Sequence, residues 1–528
     1  MRLDYRKIFF IGLIFFGISL FWQTYDMIVA RALIDKFGLN QTWSGFIMAL
    51  DNIMAVFLLP IIGALSDRTN SRLGRRTPYV IVGTVIAAFA FMALSFADHR
   101  QSLAIQGTDI VADHYGVAFA EEADLSDPDH WDTVIDIMEA EREASYRNGS
   151  ISSDEYDRWH DEILIRMEGI ADSDEPLSMR DQSIIRDVYY NYLSARAWEV
   201  TASDPVTFVV FMAILFVALV GMALYRSPAV ALMPDITIKP LRSKANAIIS
   251  LMGAVGGILA VNIIMFSDLD KHAYQRQTAI YITVGIIMVV LLAIFLWKVR
   301  EPKLVQERQD QEQELGLVDD QEPADRRAIS REKRISLYFL LASVFLWYAG
   351  YNAVMTKITD YLPKVLNMDF YEPPFIIFQA VVIISILPIG LLSMKVGRKN
   401  MVIIGILMAF IGMATVVFLQ DDMIWIVAAI IGFAGIGWAM INVNSYPMVV
   451  ELSQGSNVGV YTGYYYSAAM LSQIFTPIFS GMLMDRFGRL ILFPYGAFFV
   501  LLSLFTMLFV RHGDAKRSFK IRLRRRNG

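Results

Sequence analysis

The chain has 528 residues, of which 55% are hydrophobic and only 19% are charged, and its mean hydropathy is +0.45. Because soluble proteins carry about 25% charged residues, this composition excludes a soluble enzyme. Twelve membrane spans of roughly 20 residues would use about 240 positions. The remaining length suffices for loops, a linker and one large extra segment, so we expect a polytopic membrane protein. The chain has no cysteine, which excludes disulfides and thiolate chemistry.

Twelve apolar runs are long enough to span a membrane as helices. In chain order they cover about 8–30, 43–65, 78–96, 206–233, 245–265, 279–298, 335–356, 374–393, 401–419, 423–448, 459–483 and 490–510. The first run lacks a small-residue cleavage site, so we interpret it as an uncleaved helix. We predict an all-α membrane protein with twelve transmembrane helices in two pseudo-symmetric six-helix bundles.

A charged segment separates the first six runs from the last six. Residues 299–334 carry ten acids and eight bases without apolar periodicity, which is typical of a solvated connection. We predict an N-terminal bundle over 1–97 and 206–298, an acidic extracytoplasmic insertion over 98–205, a cytoplasmic linker over 299–334, a C-terminal bundle over 335–510 and a basic cytoplasmic tail over 511–528.

The net charge of −5 hides a strong asymmetry. Residues 98–205 hold 26 Asp and Glu, 8 Arg and no Lys, a net charge of −18, so the rest of the chain carries +13. Basic residues in short loops and termini favour the cytoplasmic side, and here they follow the second, fourth and eighth runs and fill the tail. We therefore expect a multi-pass plasma-membrane protein with both termini in the cytoplasm. Arg486 and Arg489, which follow the eleventh run, go against this bias.

The acidic insertion has two interpretations. It contains His99, His114, His130 and His160 among many carboxylates, a combination that can bind a divalent ion. The alternative is a plain hydrophilic cap, which the lack of tight ligand spacing favours. We predict no metal site and no cofactor, and we expect the insertion to be dispensable for the transport fold, because it lies in one outer loop.

A short motif repeats at the turn after the second run of each half, as expected of duplicated bundles. The first copy is Gly63-Ala-Leu-Ser-Asp67-Arg68 followed by Gly74-Arg75-Arg76, and the second is Gly390-Leu-Leu-Ser-Met394-Lys395 followed by Gly397-Arg398-Lys399. Glycine permits the tight turn, and the bases suit an anionic membrane surface. Asp67 can bond helix-end amides or an arginine, which predicts a gate that is locked in one conformational state.

This turn resembles the loop signature of the major facilitator superfamily. Its extended form, SDRTNSRLGRRTPY from Ser66 to Tyr79, is similar to the sucrose and glycoside cation-symporter branch, as are RSPAVALMPD from Arg226 and the Thr-Asp-Tyr at residues 359–361. The resemblance implies alternating-access sugar transport, and it covers both bundles but not 98–205. Melibiose-type sodium symporters have two carboxylates where this chain has Ala55 and Leu59, and plant sucrose carriers have an acid in helix 4 that residues 206–225 lack.

Charged and polar groups inside the first bundle are functional candidates, because they are costly in a membrane. Trp22, Gln23 and Asp26 fall within about one turn of the first helix and suit a sugar, which offers hydroxyls and an apolar ring face. In the alternative interpretation, Asp26 only pairs with Arg31 at the outer end of the helix. Asp51 is the other candidate for the proton site, or else it pairs between helices.

Two further charged positions complete the set of candidates. Arg226 closes the fourth run and either neutralises Asp26 or Asp51 or anchors the helix at the inner surface. Lys357 and Asp360 stand three residues apart near the end of the seventh helix, where a local salt bridge is the alternative to a coupling role.

The second half supplies neutral hydrogen-bonding groups and aromatic faces that suit a hydroxyl-rich solute. The candidates for substrate binding are Asn352, Gln379, Asn442, Asn444, Tyr461, Tyr465 and Gln473. Asn and Gln also hold helices together, so each has a structural alternative.

No Gly-x-x-x-x-Gly-Lys-[Ser/Thr] motif occurs, so an ion or solute gradient would supply the energy for transport. The leading hypothesis is a monomeric, proton-coupled sugar symporter in the lipid bilayer, not an enzyme and with no nucleic-acid partner. The alternatives are an exporter of drugs or metabolites and a nutrient sensor that binds its ligand or partner through the acidic insertion.

Overall fold

The computed structural model describes residues 4–106, 128–147, 149, 151–171, 179–238, 241–267, 277–314, 330–366, 368, 372–419, 423–452 and 458–513. The predicted tail beyond residue 513, the middle of the linker and His114 lie outside these ranges.

Across the described ranges, twelve helices are long and apolar enough to cross a membrane, which confirms the predicted fold class. They are α1 (Tyr5–Lys36), α2 (Gln41–Arg68), α3 (Thr77–Gln106), α4 (Val206–Ile236), α5 (Arg242–Met265), α6 (Thr278–Lys298), α7 (Arg331–Val365), α8 (Glu372–Val396), α9 (Arg398–Val416), α10 (Ile424–Glu451), α11 (Val458–Phe487) and α12 (Leu492–Leu508).

The two halves pack their corresponding helices in the same way, through glycines. A Cβ on Gly83 of α3 would lie 2.4 Å from the backbone nitrogen of Tyr225 in α4, and one on Gly221 of α4 would lie 2.6 Å from that of Ala87. In the second half, Gly405 of α9 and Gly437 of α10 lie against each other in the same way. A Cβ on either glycine would lie 2.6 Å from the carbonyl oxygen of the other. Small residues permit this close approach of backbones, which is how membrane helices gain packing contacts without a hydrophobic driving force.

The ends of the spans define two sides of the molecule. We call the insertion side the one where α1 ends and α2 begins, and the terminal side the one where α1 begins and α12 ends. The two bundles meet closely at the insertion side, where α2 runs against α11. A Cβ on Gly45 would lie 2.0 Å from the carbonyl oxygen of Pro477, and one on Gly481 would lie 2.3 Å from that of Gln41. A side chain larger than hydrogen does not fit at either glycine of this seam between the bundles.

Helix α1 is longer than its apolar run predicts. The run ends near residue 30, but the helix continues to Lys36 and contains two π-helical turns, Tyr25–Val29 and Ala32–Lys36. Arg31, Asp35 and Lys36 are therefore buried inside the protein, where each is 1% exposed or less. The apolar pattern ends earlier because it registers only the lipid-compatible part of a helix, whereas these charges are stabilised by partners from other elements.

The last helix of the acidic insertion is bonded to the first bundle, while the dispensability of the insertion stays a prediction. Helix α3 runs past the predicted boundary at residue 97 to Gln106, and its Gln101 side chain donates a 2.9 Å hydrogen bond to Thr201. Thr201 belongs to the helix Met179–Ser203, which we call the bridging helix. The remaining described insertion helices are Pro128–Arg147, Ser153–Trp159, His160–Leu164 and Ile165–Ala171.

The linker also contains a helix, Glu301–Glu314, where we expected only a solvated connection. Its first residue, Glu301, is 3% exposed. A charge-rich sequence without apolar periodicity hides this helix, because polar contacts of Glu301 with the first bundle hold its start and the apolar contact of Leu304 with the core is too short a signal.

Candidate functional site

A cavity of about 340 Å³ lies between the bundles, beside the middle of α1. Asp26, Gln23, Trp22 and Arg226 line it together with α5, where Gly253 and Gly257 leave room. Gln379 of α8 reaches the same cavity from the second bundle, and its amide nitrogen lies 3.5 Å from the amide oxygen of Gln23. The structure thus brings the α1 candidates, Arg226 and one second-half candidate to a single site.

The backbone around Asp26 is wider than an ordinary helix, because this residue lies on the first π-helical turn of α1. Such turns are rare and are frequent at functional sites. Among the described residues, no ion pair is made by Asp26. The alternative partner, Arg31, instead lies with its Nε 3.9 Å from Asp35. Asp26 therefore enters the cavity without the local arginine that one interpretation assigned to it.

Arg226 stands between an aromatic ring and the second candidate acid. Its guanidinium carbon is 5.9 Å from the centre of the Trp22 ring, within the range of a cation–π contact. Arg226 and Asp51 also attract each other electrostatically. The Asn52 side chain donates a 2.7 Å hydrogen bond to Asp51. Asp51 is thus partly compensated, whereas Asp26 is not.

The other second-half candidates mostly bond within their own bundle. Asn442 accepts a 3.3 Å hydrogen bond from the Tyr348 hydroxyl, Asn444 donates to the Met440 carbonyl, and the Tyr465 hydroxyl lies 3.0 Å from that of Ser445. Gln473 is partly buried in α11. In this state the bonds of Asn442, Asn444 and Tyr465 hold the second bundle together, which is the structural alternative to substrate binding.

Two second-half candidates have buried polar atoms without a partner among the described residues. They are the Asn352 amide nitrogen and the Tyr461 hydroxyl, and the Trp22 indole nitrogen in the first bundle is in the same position. Because a buried polar group without a partner costs free energy, these atoms are ready to bond water or a solute.

At the terminal side, the predicted gate turn is built around Arg76. Asp67 pairs with Arg76, whose Nε also lies 2.9 Å from Asp235 at the end of α4 and whose Nη1 donates to the Ser66 hydroxyl. Burial lowers the pKa of Arg76, but the hydrogen bonds and charges of Asp235 and Asp67 outweigh burial and raise it above its usual value. The turn is thus centred on a permanent cation, while Arg68 and Arg75 are exposed.

Glu301 of the linker helix completes this turn, and sequence reasoning missed it. Its carboxylate accepts hydrogen bonds from the backbone nitrogens of Arg75, Arg76 and Thr77, at 2.7 to 3.1 Å, and from the Thr77 hydroxyl at 2.7 Å. It caps the otherwise unbonded N–H groups at the start of α3, where a negative charge is favoured. Gly74, at φ +112°, leaves space for it, since a Cβ there would lie 2.3 Å from the carboxylate.

The second half carries a counterpart of this arrangement. Arg398, the first residue of α9, lies 2.9 Å from Glu451 at the end of α10, whereas in the first bundle Arg76, one position later in the motif, pairs with Asp235 at the end of α4. The preceding Gly397 has φ +95°, matching the positive φ of Gly74. Both copies of the motif thus form a turn with a positive-φ glycine, but Lys399, which aligns with Arg76, donates to the carbonyl oxygens of Leu508 and Val510, whereas Arg76 pairs with acids.

The α7 candidates lie in a buried polar network at the insertion side. Asp360 lies 2.6 Å from Lys364 and 2.8 Å from Arg489, and it accepts a hydrogen bond from the Gln41 side chain. Lys357 instead donates to the Gln41 carbonyl oxygen at 2.9 Å. Among the described residues Lys357 and Asp360 do not form the local salt bridge that was one of the two interpretations, and the coupling role stays a prediction.

Arg489 had the appearance of an exposed loop base in the sequence, yet it is 3% exposed. Its burial explains why it does not fit the charge bias, since that bias concerns bases in contact with the membrane surface and water.

No group of three or more His, Asp or Glu with the spacing of a metal site occurs among the described residues.

Comparison with solved structures shows which known proteins share this fold. The xylose transporter XylE of E. coli in an inward-open conformation covers 97% of this chain over 96% of its own length, with a TM-score of 0.56 and 16% identity. A D-xylose–proton symporter gives a TM-score of 0.55 with 17% identity over 96% of this chain and 99% of its own. At these identities the likeness concerns the fold.

Family comparison is more specific. The model of the Major Facilitator Superfamily matches residues 193–377 and 374–525, and that of the MFS/sugar transport proteins matches residues 10–110. The chain belongs to the Major Facilitator Superfamily.

Individual relatives match over short segments. The general alpha-glucoside permease of Schizosaccharomyces pombe is 28% identical over 81 residues, which is 15% of this chain and 14% of the permease. The human proton-associated sugar transporter A is 30% identical over 111 residues, 21% of this chain and 14% of its own. A sucrose transport protein of Arabidopsis thaliana is 26% identical over 81 residues, 15% of this chain and 16% of its own. The matched part is a small fraction of each relative's length.

Proposed function

We propose that this protein is a secondary active transporter that carries a neutral sugar, of the sucrose or α-glucoside type, together with a proton. The observation that carries the proposal is the cavity in which Trp22, Gln23 and Asp26 meet Gln379 between the two bundles. The named activities of the sequence relatives, which include alpha-glucoside, sucrose and proton-associated sugar transport, point in the same direction.

The chemistry of the cavity suits a sugar. The Trp22 ring presents an apolar face, the amides of Gln23 and Gln379 offer both donors and acceptors, and Asp26 accepts from hydroxyl groups. Among the residues that line the cavity, Asp26 and Arg226 are the charged ones and have opposite sign. A hydroxyl-rich solute without net charge fits this balance better than an ion does.

Asp26 is our candidate for the proton carrier. A carboxylate inside the membrane is costly unless it is paired or hydrated, and Asp26 has no ion pair among the described residues. Proton binding removes this cost. Arg226 is the cation that lines the same cavity, so a movement of Arg226 toward Asp26 in another state would favour release of the proton.

The closed seam at the insertion side indicates from which side of the membrane the cavity is accessible in this state. Since α2 and α11 block that side, access to the cavity in this state would be from the terminal side. The bases of the gate turn favour the cytoplasm there, so we assign the state as inward-facing in the plasma membrane. Alternation would require the bundles to separate at the insertion side and close around the gate turn.

Uptake of radiolabelled sucrose and maltose into proteoliposomes with an imposed pH gradient tests the proposal. We expect accumulation against the sugar gradient that an uncoupler abolishes. Outward movement alone would support the exporter alternative, and sugar binding without any transport would support the sensor alternative. Accumulation that persists with the uncoupler would contradict proton coupling.

A further inference from the structure

The bridging helix is fixed to the first bundle by its C-terminal half. Thr201 bonds Gln101 of α3, and Ala197 packs against Ile105. Gly38, at the end of α1, lies so close that a Cβ would be 2.1 Å from the backbone nitrogen of Trp198 and 2.3 Å from the Ser194 carbonyl oxygen. The chain then continues through residues 204–205 into α4. This half of the helix moves with the first bundle.

The N-terminal half of the same helix holds the second bundle. Asp187 lies 2.9 Å from the Arg489 guanidinium and also accepts the Arg489 backbone N–H at 2.8 Å, while Asn191 accepts from the same guanidinium at 3.2 Å. Tyr190 places its ring 5.3 Å from Lys364 and 5.9 Å from Arg489. Residues 187, 190 and 191 share one helix face, which is turned toward the second bundle.

These contacts are the last in a series of ion pairs of alternating charge that runs from the first bundle to the second. From the first bundle it runs Arg31 to Asp35 (3.9 Å), Lys364 (2.5 Å), Asp360 (2.6 Å), Arg489 (2.8 Å) and Asp187 (2.9 Å). All six side chains are buried, none more than 13% exposed, and the series contains three cations and three anions. Asp187 balances the last cation, because Asp360 is shared between Lys364 and Arg489.

We propose that the bridging helix is a latch that holds the two bundles together at the insertion side, with the Asp187–Arg489 contact as its catch. Because the helix is anchored to the first bundle, the bundles separate at the seam only when Asp187 and Asn191 release Arg489. The acidic insertion thus takes part in setting how often this side opens. This inference concerns opening itself and does not depend on which solute is carried.

Thiol labelling measures this opening directly, since the protein has no cysteine of its own. Ser480 of α11 is 1% exposed and precedes Gly481 at the seam. We would reconstitute the full chain carrying Ser480→Cys in nanodiscs and follow its alkylation by a polar maleimide. With Asp187→Ala added, we expect the alkylation rate to rise at least about threefold, which corresponds to a shift of about 0.7 kcal/mol in the opening equilibrium. Asn191→Ala, at an exposed position, should give a smaller rise.

Two controls separate release of the latch from general loosening. Asp204→Ala removes an exposed pair with Arg100 (3.6 Å) at the same side and should leave the rate unchanged. Ser343→Cys, inside the second bundle and 0% exposed, should stay unreactive in the Asp187→Ala background. Parental rates in both Asp187→Ala and Asn191→Ala would overturn the proposal, as would equal gains at Ser480→Cys and Ser343→Cys. If Asp187→Ala does not fold, the result for Asn191→Ala decides.

Discussion

Single residues carry the chemistry of this protein through the partners they have and the partners they lack. Asp26 and Asp51 are both acids in the first bundle, but Asp51 has Asn52 at 2.7 Å and the charge of Arg226, whereas Asp26 lines the cavity without an ion pair among the described residues. The sequence presents both as candidates for the proton site and slightly favours Asp26, because Gln23 and Trp22 lie beside it. Their surroundings distinguish them.

We predict that Asp26→Asn abolishes sugar accumulation driven by a pH gradient and spares sugar exchange without a gradient, because asparagine keeps the shape of the side chain but binds no proton. The measurement is uptake and counterflow in the same proteoliposomes. Asp51→Asn is the matched control and should retain uncoupler-sensitive accumulation. If only Asp51→Asn lost it, the proton site would be Asp51.

Glu301 is the second residue with a specific prediction. Glu301→Gln leaves one oxygen where the carboxylate now accepts several N–H groups, and it places an NH₂ group against donors. We expect a loss of about 1–3 kcal/mol in the free energy of unfolding, measured as a lower thermal midpoint in detergent. Glu307 lies on the same linker helix as Glu301 and forms a partly exposed ion pair with Lys7 of α1 at 2.5 Å. Glu307→Gln should therefore lower the free energy of unfolding by only about 0–1 kcal/mol. Equal effects would show that the Glu301 cap has no special role.

At the scale of elements, the turn between α1 and α2 decides where the bridging helix rests. Gly38 has φ +70° and touches the backbone of that helix. Gly38→Ala introduces both a strained backbone, which costs about 1–3 kcal/mol, and a clash with Trp198. We expect the bridging helix to shift and the insertion to become more sensitive to limited proteolysis.

Gly149 offers a matched control for that experiment. It also has a positive φ, +79°, but no atom of the described part of the chain lies within 4 Å of the position a Cβ would take. Gly149→Ala therefore shares the backbone strain without the clash, and its digestion pattern should stay close to that of the parent. If both variants are digested alike, close packing at Gly38 is not the cause.

At the scale of the whole molecule, the contacts described above between the insertion and the bundles come from the end of α3 and from the bridging helix, not from residues 107–178. We predict that replacing residues 107–178 with a Gly/Ser linker preserves membrane expression and the thermal midpoint, because the bridging helix and its anchors remain. Replacing all of 98–205 should lower both, since the buried Lys36 and Arg489 then lose their partners Asp98 and Asp187. Size-exclusion profiles and melting curves of the two variants provide the measurement. Equal stability would show that the bridging helix is dispensable.

The sequence by itself determined the twelve spans, the duplicated halves, the family and the pair of acids in the first bundle. These follow from local properties, since apolar length, glycine spacing and basic turns leave a trace in a continuous stretch of chain. Only the tertiary structure showed which acid enters the cavity, that Glu301 caps α3, and that Arg31, Asp35, Lys364, Arg489 and Asp187 form one network. The reason is physical: a buried charge is tolerated when an opposite charge lies within a few ångströms, and here those partners are separated by up to several hundred residues along the chain.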